Sequence, residues 1–210
     1  MKKLLSVFLV FAILLSFSAC GAAKPEDTVK KYFVALKEFD SEKMAEYVLA
    51  SSSATDETTP SADDDDNDDD DYFSFFEDYM KENASKLTYK ITNTEVDGSK
   101  AVVTADVNYV DGSELIRAVM GEYMQLVFTS AFSDEEMTDA EMDAAMFTIM
   151  KDEMSKTTET FKDAALQINC VLQDKVWYIE DVSDEMADVL SSGLFGTMED
   201  IGDSFSGFDS

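Results

Sequence analysis

The chain contains no histidine. Serine and cysteine hydrolase triads, imidazole zinc sites and the usual proton shuttle of neutral pH all depend on that side chain, so each is excluded. Cysteine is nearly as scarce, with Cys20 and Cys170 alone. Basic residues are few: 16 Lys and Arg face 45 Asp and Glu, for a net charge of −29. A surface of that sign repels nucleic acid and anionic lipid headgroups alike. Nucleic-acid binding is thereby excluded, and any attachment to a membrane must come from something other than electrostatics.

The one long apolar run is at the N-terminus. Lys2 and Lys3 precede Leu4 to Phe17, a run short of the roughly 20 residues that span a bilayer, which is the make-up of a secretory leader. It closes on Phe17-Ser18-Ala19-Cys20-Gly21. That segment resembles a bacterial lipobox, with Phe17 where an aliphatic residue is usual. The resemblance implies a signal peptide over 1–19, a lipidated Cys20 and a short spacer over 20–24. It places the protein on the outer face of the cytoplasmic membrane of a bacterium, held by acyl chains. Removing Lys2 and Lys3 with the leader takes the charge from −29 to −31. With Cys20 acylated, Cys170 has no disulfide partner and is expected to be a buried, inert thiol on the apolar side of a strand.

What remains suits one domain over 25–200. Pro25 opens a helix with Glu26 and Asp27 in its first turn, and Val29, Phe33 and Leu36 recur at helical spacing. Asp40 caps a second, short helix that turns Met44, Tyr47 and Val48 inward. Residues 51–71 read as a disordered acidic insertion ending in DDDDNDDDD, a like-charge run that resists collapse. Tyr72 to Ser85 returns to helical spacing. Leu87 to Val110 then alternates apolar and polar residues on either side of Asp97-Gly98, which predicts a hairpin with a type I′ turn at that pair. Leu87, Tyr89 and Ile91 share a face, as do Ala101, Val103, Ala105, Val107 and Tyr109, the mark of a sheet covered on one side. Ser113 is the expected cap of a helix over Leu115–Phe132, apolar nearly all round. A second helix begins at the capping box Thr138–Glu141 and is expected to run to about Phe161. Ala164 to Gln173 and Val176 to Glu180 form a second hairpin turned by Asp174-Lys175. A last helix covers Ser183 to Met198, broken by Gly193 and Gly196, and 201–210 reads as a disordered tail.

Two patterns invite metal chemistry. Asp66, Asp68, Asp70 and Glu77 fall at the ligand spacing of a calcium-binding EF-hand loop, although Asp71 stands where its sharp turn needs Gly, and a run of Asp matches such spacing by construction. Met142, Met146, Met150 and Met154 recur strictly at i, i+4. Thioethers suit copper(I), and a Met-rich face also makes an adaptable docking surface, but a core-facing stripe is the expectation here. No cofactor is expected.

The pieces PEDTVKKYFVALKEFDSEKMAEYV, YKITNTEVDGSKAVVTADVNYVDGSE and VLQDKVWYIEDV resemble nuclear transport factor 2-like (cystatin-like, SnoaL-like) domains. In particular, they resemble lipoproteins of unknown function from Gram-positive bacteria. The resemblance implies an α+β fold: a curved antiparallel sheet of two hairpins covered by the N-terminal helices, here with a helical pair inserted over 113–161. It implies a cavity between sheet and helices, for which Tyr89, Tyr109 and Trp177 are the candidate lining, and it makes a homodimer possible. The expected function is non-catalytic: a tethered module binding a small molecule or a protein. An isomerase- or dehydratase-like enzyme is the alternative, and needs a carboxylate base converging with a phenol. Tyr89 and Tyr109 are the available phenols, but the nearest acid, Asp106, falls on the opposite face from Tyr109. The third alternative is a calcium- or copper-binding surface protein.

Overall fold

The computed structural model describes residues 23–49, 67–132 and 137–206. Cys20 and Asp66 lie outside them, as do the leader and 50–65. The described chain is α+β: four strands in one antiparallel sheet, in the order β1-β2-β3-β4, with helices before, within and after it.

Helix α1 spans Pro25–Lys37. Its 3.6-residue period puts Val29, Tyr32, Phe33 and Leu36 on one buried face, and Thr28 Oγ1 donates to the Trp177 carbonyl at 2.9 Å. Phe39, at φ 57°, ends the helix in the left-handed region. Asp40 then accepts from Lys43 N at 2.9 Å as the cap of the one-turn helix α2, Ser41–Ala45. The following segment runs beside the sheet: Ile179 N donates to the Tyr47 carbonyl and Leu49 N to the Ile179 carbonyl, so it shields an edge that would otherwise be open.

Helix α3 covers Asn67–Lys86, starting five residues before the expected Tyr72. The last Asp residues of the acidic run are thus helical, not disordered. Their repulsion is offset by the partial positive charge of the four unpaired N–H groups at a helix start, where carboxylates are favoured.

Strands β1, Thr88–Asp97, and β2, Lys100–Val110, pair as expected, with Tyr89 opposite Val107 and a bulge between Ile91 and Asn93. Their turn differs. Asp97 pairs with Lys100, so the turn residues are Gly98-Ser99, and of these only Gly98 has positive φ, at 63°. That is the type II′ pattern, which needs glycine only at the first central position. Strand β3 spans Phe161–Gln173 and pairs with β2 from Val110–Phe161 to Lys100–Val171. It is joined to β4, Val176–Ile179, by a true type I′ turn in which Asp174 and Lys175 both have positive φ, 50° and 70°.

Helix α4 spans Ser113–Ala131 and α5 spans Asp139–Lys156. Ser113 is inside α4 rather than capping it, and the Asp111 carboxylate takes the Ser113 N–H at 3.1 Å. The Thr138–Glu141 capping box is present. Helix α5 ends at Lys156 instead of Phe161, because Phe161 is already hydrogen-bonded into the sheet against Val110. Ser183 caps α6, Asp184–Leu190. Gly193, at φ 80°, breaks the chain as expected, but Gly196 lies inside α7, Leu194–Ser206. The stretch 201–206 is therefore helical rather than part of a disordered tail.

The core lies on one side of the sheet. Phe33, Val103, Leu166, Ile168 and Ile179 are each 2 % exposed or less, closed over by α1 and by Met186 and Val189 of α6. A smaller cluster joins α4 and α5, where Leu115 and Val119 meet Met150 with Phe75, Phe76 and Tyr79 of α3 packed against them.

Candidate functional site

Of the three aromatic residues expected to line one cavity, Tyr109 and Trp177 are built into the core, at 2 % and 5 % exposed, while the half-buried Tyr89 stacks on Phe33 with ring centroids 4.5 Å apart. Two open grooves lie across the sheet, of about 460 and 580 Å³. Glu95, Lys100, Val102 and Asn169 line the first, and Lys90, Asp106, Asn108 and Asp163 the second, with Tyr89 in the wall of the second. Neither is lined by Tyr109 or Trp177.

Tyr109 does meet a carboxylate, but Asp188 rather than Asp106. Its hydroxyl donates to Asp188 Oδ2 at 3.0 Å. Lys162 Nζ lies 3.3 Å from the same oxygen, and Gly196 N donates to Oδ1 at 3.0 Å. A Cβ at position 196 would fall 2.9 Å from that oxygen, so this helical glycine is required by the carboxylate beside it. Burial, then the neighbouring Asp188, pushes the Tyr109 hydroxyl well above the ordinary tyrosine range. Held protonated, the phenol is a fixed donor tying α6 and α7 to the end of β2. Nothing in the hydrophobic pattern marks Asp188. The signal that points to it is the pair Gly193 and Gly196, small residues on a segment that otherwise favours helix.

Next to this knot, Asp111-Gly112-Ser113 meets Ser192-Gly193. Gly112 N donates to the Ser192 carbonyl at 2.7 Å, and a Cβ on Gly193 would stand 2.8 Å from Asp111 Oδ1. Asn83, only 4 % exposed, leaves its Nδ2 unpartnered here. Burial raises the Tyr79 hydroxyl pKa. Burial also pushes the Cys170 thiol up to about 12, the behaviour of an inert core thiol.

Asp68, Asp70 and Glu77 stand on the helical backbone of α3, where an EF-hand ligand set sits on a loop, and Asp66 lies outside the described residues. Met150 is 4 % exposed, and Met146 and Met154 pack on the α4–α5 cluster. Met142, half-buried, begins the same stripe. These thioethers therefore serve as packing. No group of three His, Cys, Asp or Glu side chains that could hold a metal occurs among the described residues.

The surface feature that stands out is α4. Leu115 and Val119 bury one side of its first half, but its second half turns Met124 and Phe128 outward, and Phe132 follows at its C-cap, at 45 %, 68 % and 77 % exposure. The last two rings lie 4.8 Å apart. Among the described helices, none is long and apolar enough to cross a membrane.

No known protein-family model matches the chain, and no curated protein matches it. A crystal structure described as a candidate lipoprotein, ycdA from Bacillus subtilis, is similar at 15 % identity and a TM-score of 0.38. The likeness covers 85 % of this chain and 49 % of the other, so this chain spans about half its length.

Proposed function

We propose that this is a lipid-anchored, extracytoplasmic protein-binding module without catalytic activity. The observation carrying the reading is that the Tyr109–Asp188 pair and Trp177 are enclosed in the fold, while an apolar stripe is left on the surface of α4. Tyr109 is buried against Asp188 and Trp177 is enclosed, whereas Met124, Phe128 and Phe132 face outward. Contiguous exposed apolar surface marks an interaction site more often than chance. The anchor rests on the leader and on Cys20, since the acidic chain repels anionic headgroups.

Native mass spectrometry of the full-length gene product, extracted from membranes, tests both parts. The expected species is the chain from Cys20 with its acyl groups and no further adduct. Cys20→Ser is expected to abolish acylation and to release the protein from the membrane fraction. Acylation that persists in that variant would remove the anchor from this reading. A retained adduct of roughly a few hundred daltons, the mass of an ordinary pocket ligand, would replace protein binding with small-molecule binding.

A further inference from the structure

We propose, resting on the lipid anchor of the reading above, that the outer face of α1 docks on anionic phospholipid headgroups and fixes how the domain stands on its bilayer. Val29, Tyr32, Phe33 and Leu36 turn one side of α1 into the core. On the other side Lys30, Lys31 and Val34 are exposed, with Lys37 half-buried one turn further on. Three lysines stand in this helix against two acids, Glu26 and Asp27. No other described helix or strand holds more Lys and Arg than Asp and Glu, and α6 and α7 together hold six acids and no base.

The acids of this region are already engaged. Glu26 lies 3.8 Å from Lys24 Nζ and Asp27 3.3 Å from Lys30 Nζ. Just beyond the helix, Lys43 Nζ holds Glu38 at 3.2 Å and Asp40 at 2.7 Å. Among the described residues no carboxylate forms an ion pair with Lys31 or Lys37, so both remain available to an outside anion.

Net charge decides whether a chain approaches an anionic surface unaided; the distribution of that charge decides how it lies once tethered. Cys20 can stand at most about 18 Å from Pro25, five residues away at full extension. The one cationic helix is thereby held beside the headgroups, at the high effective concentration a short tether gives, while the acidic elements are repelled. Lying flat, a helix of about 20 Å brings Lys30, Lys31 and Lys37 together within the roughly 8 Å over which such attraction acts at physiological salt. Each lysine at an anionic surface strengthens attachment about fivefold.

The test uses the full-length protein, purified with its acyl groups, in phosphatidylcholine nanodiscs with or without phosphatidylglycerol. Val34→Cys puts a thiol at the centre of the lysine face, at a position 50 % exposed, and the buried Cys170 does not compete for a dye. Energy transfer from a donor there to acceptor lipids is expected to rise when phosphatidylglycerol is present. It should fall back in about 1 M sodium chloride, where the Debye length is roughly 3 Å. Lys31→Gln with Lys37→Gln is expected to lower the docked population roughly 25-fold and so remove the rise. Neither lysine belongs to the core cluster, so circular dichroism should not change. Transfer indifferent to phosphatidylglycerol would overturn the proposal, as would a rise that survives the two substitutions. A rise seen from a donor on Phe128→Cys but not on Val34→Cys would overturn it too, by laying α4 on the bilayer instead. Each of these results leaves the anchor standing. A chain that enters no nanodisc, or whose native mass lacks acyl groups, would overturn the anchor and the docking face together.

Discussion

At the scale of single residues, Asp188 makes a three-way junction that hydrophobic patterning would not single out. One carboxylate accepts from a buried phenol, lies against Lys162 and takes a backbone N–H of the next helix. Asp188→Ala strands the Tyr109 hydroxyl in the core with no acceptor, and an unsatisfied buried donor costs about 1–3 kcal/mol on top of the lost bond. Tyr109→Phe removes the donor together with its need for an acceptor, and Asp188 keeps its other two partners. We therefore expect Asp188→Ala to destabilise by roughly 2–3 kcal/mol and Tyr109→Phe by about 1 kcal/mol. Urea unfolding of each variant checks the order. If Tyr109→Phe costs as much as Asp188→Ala, the phenol is doing something beyond fastening the helices.

At the scale of elements, the signals that carried through were those set by steric fit. The alternation in Ala101–Tyr109 placed the covered face of β2 correctly, and Asp40 and Thr138 cap the helices they were expected to cap. The failures came where tertiary contacts outweigh a local rule. The start of α3 was hidden because a run of Asp reads as self-repelling until the helix dipole is counted. The end of α5 was misplaced because three threonines and Phe161 are apolar or neutral enough to continue a helix, yet pairing with β2 claims Phe161. The Asp97-Gly98 signal located a hairpin but shifted its turn by one residue. The candidate pocket aromatics were placed on the right face, but alternation cannot show whether that face encloses space or is filled. The β3–β4 turn remains chemically mismatched, since Asp174 and Lys175 occupy two left-handed positions that Asn-Gly fills with less strain. Lys175→Gly is expected to stabilise the protein by roughly 0.5–1 kcal/mol, because relief of the φ of 70° exceeds the entropy glycine adds to the unfolded chain. Thermal unfolding of that single variant checks the sign; destabilisation would show that the lysine side chain contributes more to the turn than its backbone strain removes.

At the scale of the whole molecule, a net charge of −29 on 210 residues opposes compaction. The ion pairs do little to offset it: Lys100–Glu180 and Lys30–Asp27 join side chains open to solvent, where a pair contributes between nothing and about 1 kcal/mol. Added salt weakens those pairs and the general repulsion together, so the sign of its effect shows which is larger. With 45 acids to 16 bases, most carboxylates have no cation to pair with, and repulsion should prevail. Raising sodium chloride from about 0.01 M to about 1 M shortens the Debye length from roughly 30 Å to 3 Å. The melting temperature is then expected to rise, by about 2–4 °C for each kcal/mol of repulsion removed at this chain length. Magnesium and calcium matched to the same ionic strength should give similar rises, because Asp68, Asp70 and Glu77 stand on helical backbone rather than in a loop. A fall in melting temperature with sodium chloride would mean the exposed ion pairs dominate. A rise specific to calcium, complete at a small fraction of that ionic strength, would mean that carboxylates converge on an ion despite the helix.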